Sequence, residues 1–295
     1  MVQPYIDGFV QARKWQHRDG TTTKLLEMSE RTMKRMVGAL REKYDISHGR
    51  TTTRASELKN IIPIFKGPWE NIPPGNGQID TVAHCGDSVS GDFAYTVSFI
   101  DAATYWGIRR GQWNKGQEAT KQNLAAIKLR LPFPWTMGHP DTGSEFINYL
   151  TKEWCDSNDI RLTRSEPGKK NDNMFVEERN GHVVRKYLGW QRLDADPGII
   201  GLINQYYDVL DPYLNHFQAV RRTLSKDRIG SKYRRTFEKT AKTPYQRLIE
   251  HPEISPAVKQ LAISAHKQLN PFLLKRKLDT LKDKIFHYQK TRTTK

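Results

Sequence analysis

The sequence predicts an α/β domain built around a mixed β-sheet, and three observations lead to this fold class. Strand-like segments follow one another closely at Gln78–Cys85, Phe93–Phe99 and Tyr105–Arg110. In the second segment, large apolar residues alternate with small or polar ones, the period-2 pattern of a strand. Beyond the third segment, helical and strand-like patterns alternate up to about residue 217. Three successive strands followed by alternating helices and strands predict a sheet with both antiparallel and parallel pairs.

The second half of this predicted domain, which spans residues 78–217, should contain two further strands and several helices. Ser144 is placed to cap a helix whose apolar face includes Phe146 and Trp154. In chain order we expect a helix at about Gln117–Arg130, a short strand at Pro134–Gly138 that ends at Asp141, the helix after Ser144, a strand at Ile160–Thr163 and a helix at about Gly201–Phe217 that is broken or bent at Pro212.

Residues 1–60 are expected to be helical. A short helical stretch, Thr22–Met28, precedes Ser29, which resembles the N-cap of a second helix at about Glu30–Tyr44. The second helix has an apolar stripe and basic residues on its other faces, as in a helix-turn-helix that binds DNA. A helical bundle with a solvated basic face is the alternative. The candidate DNA contacts here are Arg31, Lys34 and Arg35.

A Pro/Gly-rich linker at residues 61–77 separates this region from the central domain, and residues 218–295 are expected to form a basic arm and a helical hairpin. The hairpin helices should start at Pro256 and Pro271, since each proline follows a capping residue. The arm suits contacts with phosphate, although a solvated basic linker has the same composition. Its candidate contacts are Arg221, Arg222, Arg234 and Arg235.

The composition narrows the class of partner. A formal charge of +16 and a pI near 9.7 indicate a polyanionic partner, with nucleic acid as the first candidate. The sequence has no apolar run long enough for a membrane helix and no signal-peptide pattern, so we expect a cytoplasmic protein without a membrane partner. Two cysteines are too few for a disulfide framework or a four-cysteine zinc site.

Three acidic residues are the candidate catalytic and metal-binding groups. Asp80 interrupts an apolar strand, Asp141 lies at a strand end, and Glu177 lies on a predicted helix, with 35 residues between it and Asp141. Gathered carboxylates repel one another unless a cation neutralises them, and oxygen ligands favour Mg²⁺ or Mn²⁺. Two such ions about 3.5–4 Å apart promote phosphodiester chemistry. Taken singly, each acid also suits a structural role: a satisfied buried Asp, a turn residue and a surface helix residue.

The motifs around these acids resemble the catalytic core of retroviral-integrase-like DDE transposases, which has an RNase H-like fold. The matching stretches are Gln78-Ile79-Asp80, Tyr95–Asp101, Asp141-Thr142-Gly143-Ser144-Glu145-Phe146, Lys170-Asn171-Asp172 and Val176-Glu177-Glu178-Arg179-Asn180. Thr142 stands where these enzymes more often have Asn. The resemblance implies that Asp80, Asp141 and Glu177 bind two Mg²⁺ or Mn²⁺ ions in a prokaryotic, nucleoid-associated insertion-sequence transposase. It also implies a homo-oligomer that brings two DNA ends together and performs cleavage and strand transfer.

Several alternatives stay open. Glu178 is the rival of Glu177 as third ligand, although it lies about 100° round the helix. A catalytically silent DNA-binding remnant and an RNase H-like nuclease without strand transfer are the alternative functions. Four further residues near the third acid are candidate DNA contacts, each also explicable as a solvated surface group: Lys169, Lys170, Arg179 and Asn180.

Overall fold

The computed structural model describes residues 6–8, 11–12, 19–29, 31–32, 61–67, 69, 71–141, 143–165, 180–229 and 232–293. The helices are α1 (Asp19–Glu27), α2 (Gln117–Lys128), α3 (Tyr149–Ser157), α4 (Lys186–Leu188, preceded by the π-helical segment Asn180–Arg185), α5 (Pro197–Phe217), α6 (Pro244–Glu250), α7 (Pro256–Gln268) and α8 (Pro271–Thr293). The strands are β1 (Asn76–Ala83), β2 (Tyr95–Asp101), β3 (Gly107–Gln112), β4 (Met137–Pro140), β5 (Arg161–Leu162), β6 (Thr223–Ile229) and β7 (Lys232–Phe237).

The predicted mixed sheet is present. Its five strands lie in the order β3-β2-β1-β4-β5, with antiparallel pairing among β1, β2 and β3 and parallel pairing of β4 with β1 and β5. The first three strands form an antiparallel meander joined by loops at residues 84–94 and 102–106, whereas the parallel strands β4 and β5 each follow a helix. The protein is therefore an α/β fold whose central strand, β1, has an antiparallel neighbour on one side and a parallel neighbour on the other.

Both faces of the sheet are covered, as the alternating side chains of β2 show. Val97 and Phe99 belong to the apolar core that also contains Leu124 of α2. On the opposite face, the Thr96 hydroxyl lies 2.7 Å from the Tyr207 hydroxyl of α5. The period-2 pattern of the strand thus directs apolar residues to one layer of helices and a polar row to the other.

Helix α5 saturates the outer edge of β3 with side chains instead of a further strand. The β3 backbone N–H groups of Gly107, Arg109 and Gly111 donate to side-chain oxygens of α5, at 3.0, 2.8 and 2.9 Å. The acceptors stand at positions i, i+7 and i+11 of the helix and therefore share one face. In the order of those three donors they are Asn215, Asp211 and Asn204.

Asp101 ends β2 and organises the adjoining turn. Its carboxylate accepts hydrogen bonds from the Gly75 N–H and from both the N–H and the hydroxyl of Thr104, all at 2.7 Å. Burial raises the pKa of Asp101 to about 6, against the opposing effect of these hydrogen bonds. The sequence analysis leaves Asp101 outside the acidic triad, and this packing gives it a structural role.

Several local expectations differ from the structure. Helix α3 is capped by Asn148, whose side chain accepts from the Thr151 N–H at 2.8 Å, and not by Ser144, because the chain between Gly143 and Asn148 forms turns. The basic arm contains the antiparallel hairpin β6–β7. Helix α5 starts earlier than predicted, at Pro197, and continues through Pro212.

The two C-terminal helices start where the sequence predicts, at Pro256 and Pro271. They differ from the predicted hairpin in their partners. Ala262 of α7 joins the core beneath α2 and α3, whereas Leu278, Leu281 and Ile285 of α8 pack with α5. Among the helices of the described residues, none is both long enough and apolar enough to cross a membrane.

Candidate active site

Two of the three predicted acids lie side by side where β4 ends beside the middle of β1, and this position is called the acidic edge. In the parallel pair β1–β4, Ile79 is the register partner of Pro140. Asp80 follows Ile79 in the sequence, and Asp141 follows Pro140. Because neighbouring strands lie about 4.8 Å apart, this register brings the two carboxylates to adjacent positions. Asp80 is half-buried and Asp141 is exposed, as suits an acidic pair open to solvent on one side.

Backbone N–H groups orient both carboxylates. Asp80 Oδ1 accepts a hydrogen bond from the Thr81 N–H at 2.7 Å, and Asp141 Oδ1 accepts one from the Gly143 N–H at 2.9 Å. Gly143 leaves room for both carboxylates: a Cβ there would lie 2.5 Å from Glu145 Oε2 and 2.9 Å from Asp141 Oδ1, so a larger residue would displace these side-chain ends. The turn after Asp141 is therefore tight, and it brings the carboxylate of Glu145 close to that of Asp141.

A lysine neutralises this neighbouring carboxylate. Lys115, in the loop after β3, places its Nζ 3.0 Å from Glu145 Oε1 and 5.6 Å from the ring centre of Tyr95. Burial lowers the pKa of Lys115, but Glu145, with smaller contributions from Tyr95 and Asp141, outweighs it and raises the pKa above its ordinary value. Lys115 is therefore a stable cation, and its ion pair ties the loop after β3 to the turn that carries Asp141.

The donors present suit a hard divalent cation. Asp80 faces Ser98 across the β1–β2 pair, and the buried Ser98 hydroxyl has no hydrogen-bond partner among the described residues. Two carboxylates and a hydroxyl are oxygen donors of the kind that Mg²⁺ and Mn²⁺ accept. Within the described ranges there is no group of three or more His, Cys, Asp or Glu residues able to hold a metal. Glu177 and Glu178, one of which is the expected third ligand, lie outside those ranges.

The two histidines nearest the acids are structural. His84 Nε2 lies 2.7 Å from Thr96 Oγ1, and His139 lies 2.8 Å from Thr163 Oγ1 and 3.1 Å from Ser165 Oγ. Burial lowers the pKa of His84 to about 3 and that of His139 to about 4, so both rings are neutral near pH 7. Neither histidine is one of the predicted metal ligands.

The candidate DNA contacts are widely distributed. Arg31, Arg221 and Arg234 are exposed, and Arg235 lies on β7. Arg222 is engaged by the protein itself: its guanidinium donates to the Ala103 carbonyl and lies 3.7 Å from Glu238. Asn180 begins the π-helical segment. The other candidates, Lys34, Arg35, Lys169, Lys170 and Arg179, lie outside the described residues.

Sequence reasoning did not assign roles to Lys115, Glu145 and Ser98. Glu145 stands inside the Asp141–Phe146 motif, so its closeness to Asp141 in the sequence is the signal that could have predicted its position. Ser98 is the strand partner of Asp80, which becomes evident only once the register is known. Lys115 is one of many lysines in a basic chain, and nothing local to it indicates a buried partner.

The chain is similar to a bacterial protein and, at lower identity, to a chain in the structure of a viral complex. No family model matches the chain. A protein of Sinorhizobium fredii (strain NBRC 101917 / NGR234) described as uncharacterized protein y4rM is 32% identical over 210 residues, which cover 71% of this chain and 60% of that protein. Among solved structures, a chain of the cryo-EM structure of the simian T-cell lymphotropic virus intasome in complex with PP2A regulatory subunit B56 gamma aligns with a TM-score of 0.43 and 14% identity, over 84% of this chain and 76% of that one.

Proposed function

We propose that this protein is a DDE-type DNA transposase that cleaves the 3′ ends of an insertion element and transfers them to target DNA. The observation that carries the proposal is the register of β1 and β4, which sets Asp80 and Asp141 side by side. A three-stranded meander followed by parallel strands also supports an RNase H-like core for the sheet. The formal charge of +16 supports DNA as the substrate.

Asp80 and Asp141 would hold Mg²⁺ or Mn²⁺ together with Glu177, in a site for two ions. When bound, such ions activate the attacking hydroxyl and stabilise the leaving oxygen of the phosphodiester. The chain supplies the orientation of the ligands. The Thr81 and Gly143 N–H groups hold the two aspartates, and because they donate to oxygen they favour the ionised carboxylates that a cation requires.

The Lys115–Glu145 pair has a supporting role in this proposal. Because Glu145 is buried, its charge would disfavour a second carboxylate nearby if Lys115 did not neutralise it. Lys115 also fixes the loop after β3 beside the acidic edge. In a homo-oligomer that joins two DNA ends, this arrangement would keep the acidic edge rigid while DNA enters from the open side of Asp141.

A strand-transfer assay tests the proposal directly. Labelled DNA fragments from each side of the coding region are incubated with the protein and Mn²⁺, and joined products are resolved on a denaturing gel. Asp80→Asn, Asp141→Asn and Glu177→Gln should each abolish joining. Asp87→Asn is the matched control, because Asp87 is an exposed acid in the turn after β1 and should be dispensable.

Each other outcome would change either the assigned function or the assigned third ligand. Cleavage without joining would replace the transposase with an RNase H-like nuclease. DNA retention without cleavage or joining by the wild type would indicate a catalytically silent remnant. Loss of joining in Glu178→Gln but not in Glu177→Gln would transfer the role of third ligand to Glu178. Equal activity of wild type and Asp80→Asn would overturn the proposal.

A further inference from the structure

A pocket of about 370 Å³, which shares no residue with the acidic edge, lies where α4, α5 and α8 meet. Its walls combine lysines with tyrosines, and its volume is in the lower part of the range for small-molecule and cofactor sites. None of its lysines is among the DNA contacts predicted from the sequence. The residues lining it are Lys186, Tyr187, Tyr206, Tyr213, Gln218, Lys275, Leu278, Asp279 and Lys282.

Helix geometry brings the basic groups of α8 to this pocket. Lys275, Leu278 and Lys282 stand at i, i+3 and i+7 and therefore share one face of the helix. Leu278 is buried against α5, so the lysines on either side of it run along the rim of that contact. Lys186, at the start of α4, adds a third ammonium group from the facing element.

The pocket has an excess of positive charge. Its lining holds three lysines and one acid, Asp279, whose carboxylate pairs with Lys275. Within the described ranges, Lys282 has no ion pair. Burial lowers the pKa of Lys282, and the nearby positive charge of Lys275 lowers it further. The negative charges of Asp279 and Asp283 raise it, but by less. The cationic form of Lys282 is thus held where desolvation and a like charge both oppose it, and an anion in the pocket would relieve that cost.

The aromatic wall is firmly held. Tyr206 is almost fully buried, and its hydroxyl donates to the Tyr187 carbonyl at 3.3 Å. The rings of Tyr187 and Tyr213 meet edge to face with centroids 6.4 Å apart. Tyr187 remains half-exposed. A rigid aromatic surface beside converging ammonium groups suits a phosphate attached to a sugar and base, because such a ligand has both a charge and a flat apolar part.

We propose that this pocket binds a phosphodiester group of a nucleic acid strand, with Lys186, Lys275 and Lys282 around the phosphate. The inference rests on the proposed function for its choice of nucleic acid as the ligand. The excess of positive charge and the aromatic wall are independent of that function. Such a site would hold DNA through residues other than those of the acidic edge, so that cleavage and anchoring use different side chains.

A binding measurement separates the pocket from general electrostatics. Fluorescence anisotropy of a labelled oligonucleotide, single-stranded or duplex, is recorded in EDTA over a salt series with the full chain. The Lys275→Gln/Lys282→Gln variant should bind roughly 3- to 10-fold more weakly, with a salt slope reduced by about 1–2. The control is Lys277→Gln/Lys284→Gln, which removes two exposed lysines with the same spacing on the same helix and should change binding little.

Two further variants exclude a purely structural role. Lys282→Gln should keep or raise the thermal unfolding temperature, because it removes a desolvated charge, yet it should still weaken binding. Lys282→Arg should retain binding, because it keeps the positive charge. A lowered unfolding temperature in Lys282→Gln, with binding that follows the folded fraction, would show that Lys282 acts only in stability.

The remaining outcomes overturn the inference in distinct ways. If the two double variants weaken oligonucleotide binding equally, the net charge of the protein would explain the effect and the pocket would have no specific role. Competition by inorganic phosphate at the same phosphate concentration would indicate a small-anion site, and pocket-dependent binding of poly-glutamate without DNA binding would indicate an acidic protein partner. Because EDTA prevents metal-dependent catalysis, the binding measurement does not depend on the strand-transfer assay. Pocket-dependent binding with a failed strand-transfer assay would support this inference and reject the proposed function. Normal strand transfer with no pocket-dependent binding would overturn this inference alone.

Discussion

Replacing Asp211 by alanine should destabilise the protein severely, because it removes the counter-charge of a buried arginine. Asp211 Oδ1 lies 2.6 Å from Arg109 Nη1, and the exposed fractions of the two side chains are 5% and 1%. Arg109 Nε and Nη2 have no hydrogen-bond partner among the described residues. Breaking a buried pair from one side costs about 3–5 kcal/mol, a large part of the 5–15 kcal/mol that stabilises a typical domain.

The double variant Arg109→Met/Asp211→Ala should be less destabilised than Asp211→Ala alone. Methionine removes the stranded charge and keeps an apolar chain in the same space. One defect would remain, because Asp211 Oδ2 also accepts the backbone N–H of Arg109 at 2.8 Å. An unsatisfied buried N–H costs about 1–3 kcal/mol, and we expect the double variant to retain a loss of that size.

Urea unfolding followed by tryptophan fluorescence measures these differences, since the chain contains seven tryptophans. The control is Asp156→Ala in α3: its carboxylate is exposed and pairs with the partly exposed Lys152 at 2.6 Å, so its loss should cost under about 1 kcal/mol. A loss below 1 kcal/mol for Asp211→Ala would refute the reasoning. So would a double variant less stable than Asp211→Ala, because the stranded charge would then not be the main cost.

Three other predictions follow from the described contacts. Because the folded-state pKa values of His84 and His139 lie below the ordinary 6.5, at about 3 and about 4, the unfolded chain binds more protons below pH 6.5. The two histidines should therefore lower the stability to urea as the pH decreases from 6.5 towards 4, and a His84→Gln variant should lack its share of that decrease. Asn148→Ala removes the N-cap of α3 and should cost about 1 kcal/mol in urea unfolding. Gly143→Ala forces Glu145 to move and should weaken Mn²⁺ binding in calorimetry.

Each of these three has a contrary outcome and a control. Burial raises the pKa values of Asp101 and Asp211 to about 6, and these two groups act in the opposite direction, so the test compares the wild type with His84→Gln. An equal change in the stability of these two proteins between pH 6.5 and 4 would mean that His84 is not held neutral. Asn148→Asp keeps a capping oxygen and should retain most of the stability that Asn148→Ala loses. For the glycine, the control is Gly201→Ala, because no atom lies within 4 Å of an added Cβ there. Equal Mn²⁺ affinity in Gly143→Ala and Gly201→Ala would show that the turn does not affect the metal ligands.

Local signals in the sequence predict the elements well where capping residues and periodicity agree. Ser255-Pro256 and Asn270-Pro271 mark the starts of α7 and α8, and the alternation at residues 93–99 marks β2. The early start of α5 also has a local signal, because Asp196 accepts from the Gly198 N–H and precedes Pro197. The hairpin β6–β7 has a weaker signal, since its many charged residues conceal the alternation.

The candidate site depends on strand pairing between segments that are distant in the sequence, and no local sequence pattern specifies that pairing. Asp80 and Asp141 are adjacent because Ile79 pairs with Pro140, and a shift of one residue would alter that relation. The acceptors of α5 are similar: Asn204, Asp211 and Asn215 are in phase on a largely apolar helix, a pattern that indicates a buried polar partner. Which strand supplies that partner follows only from the packing of α5 against β3.

The saturated edge of β3 also limits how this protein can associate with others. An open edge strand accepts further strands from other chains, which leads to domain swapping or aggregation. Here side chains of α5 occupy the donors at one edge, and at the other edge the two-residue β5 is followed by pairing of Arg164 with the segment around Ile64. The five-stranded sheet therefore offers little backbone for strand addition by another copy of this chain.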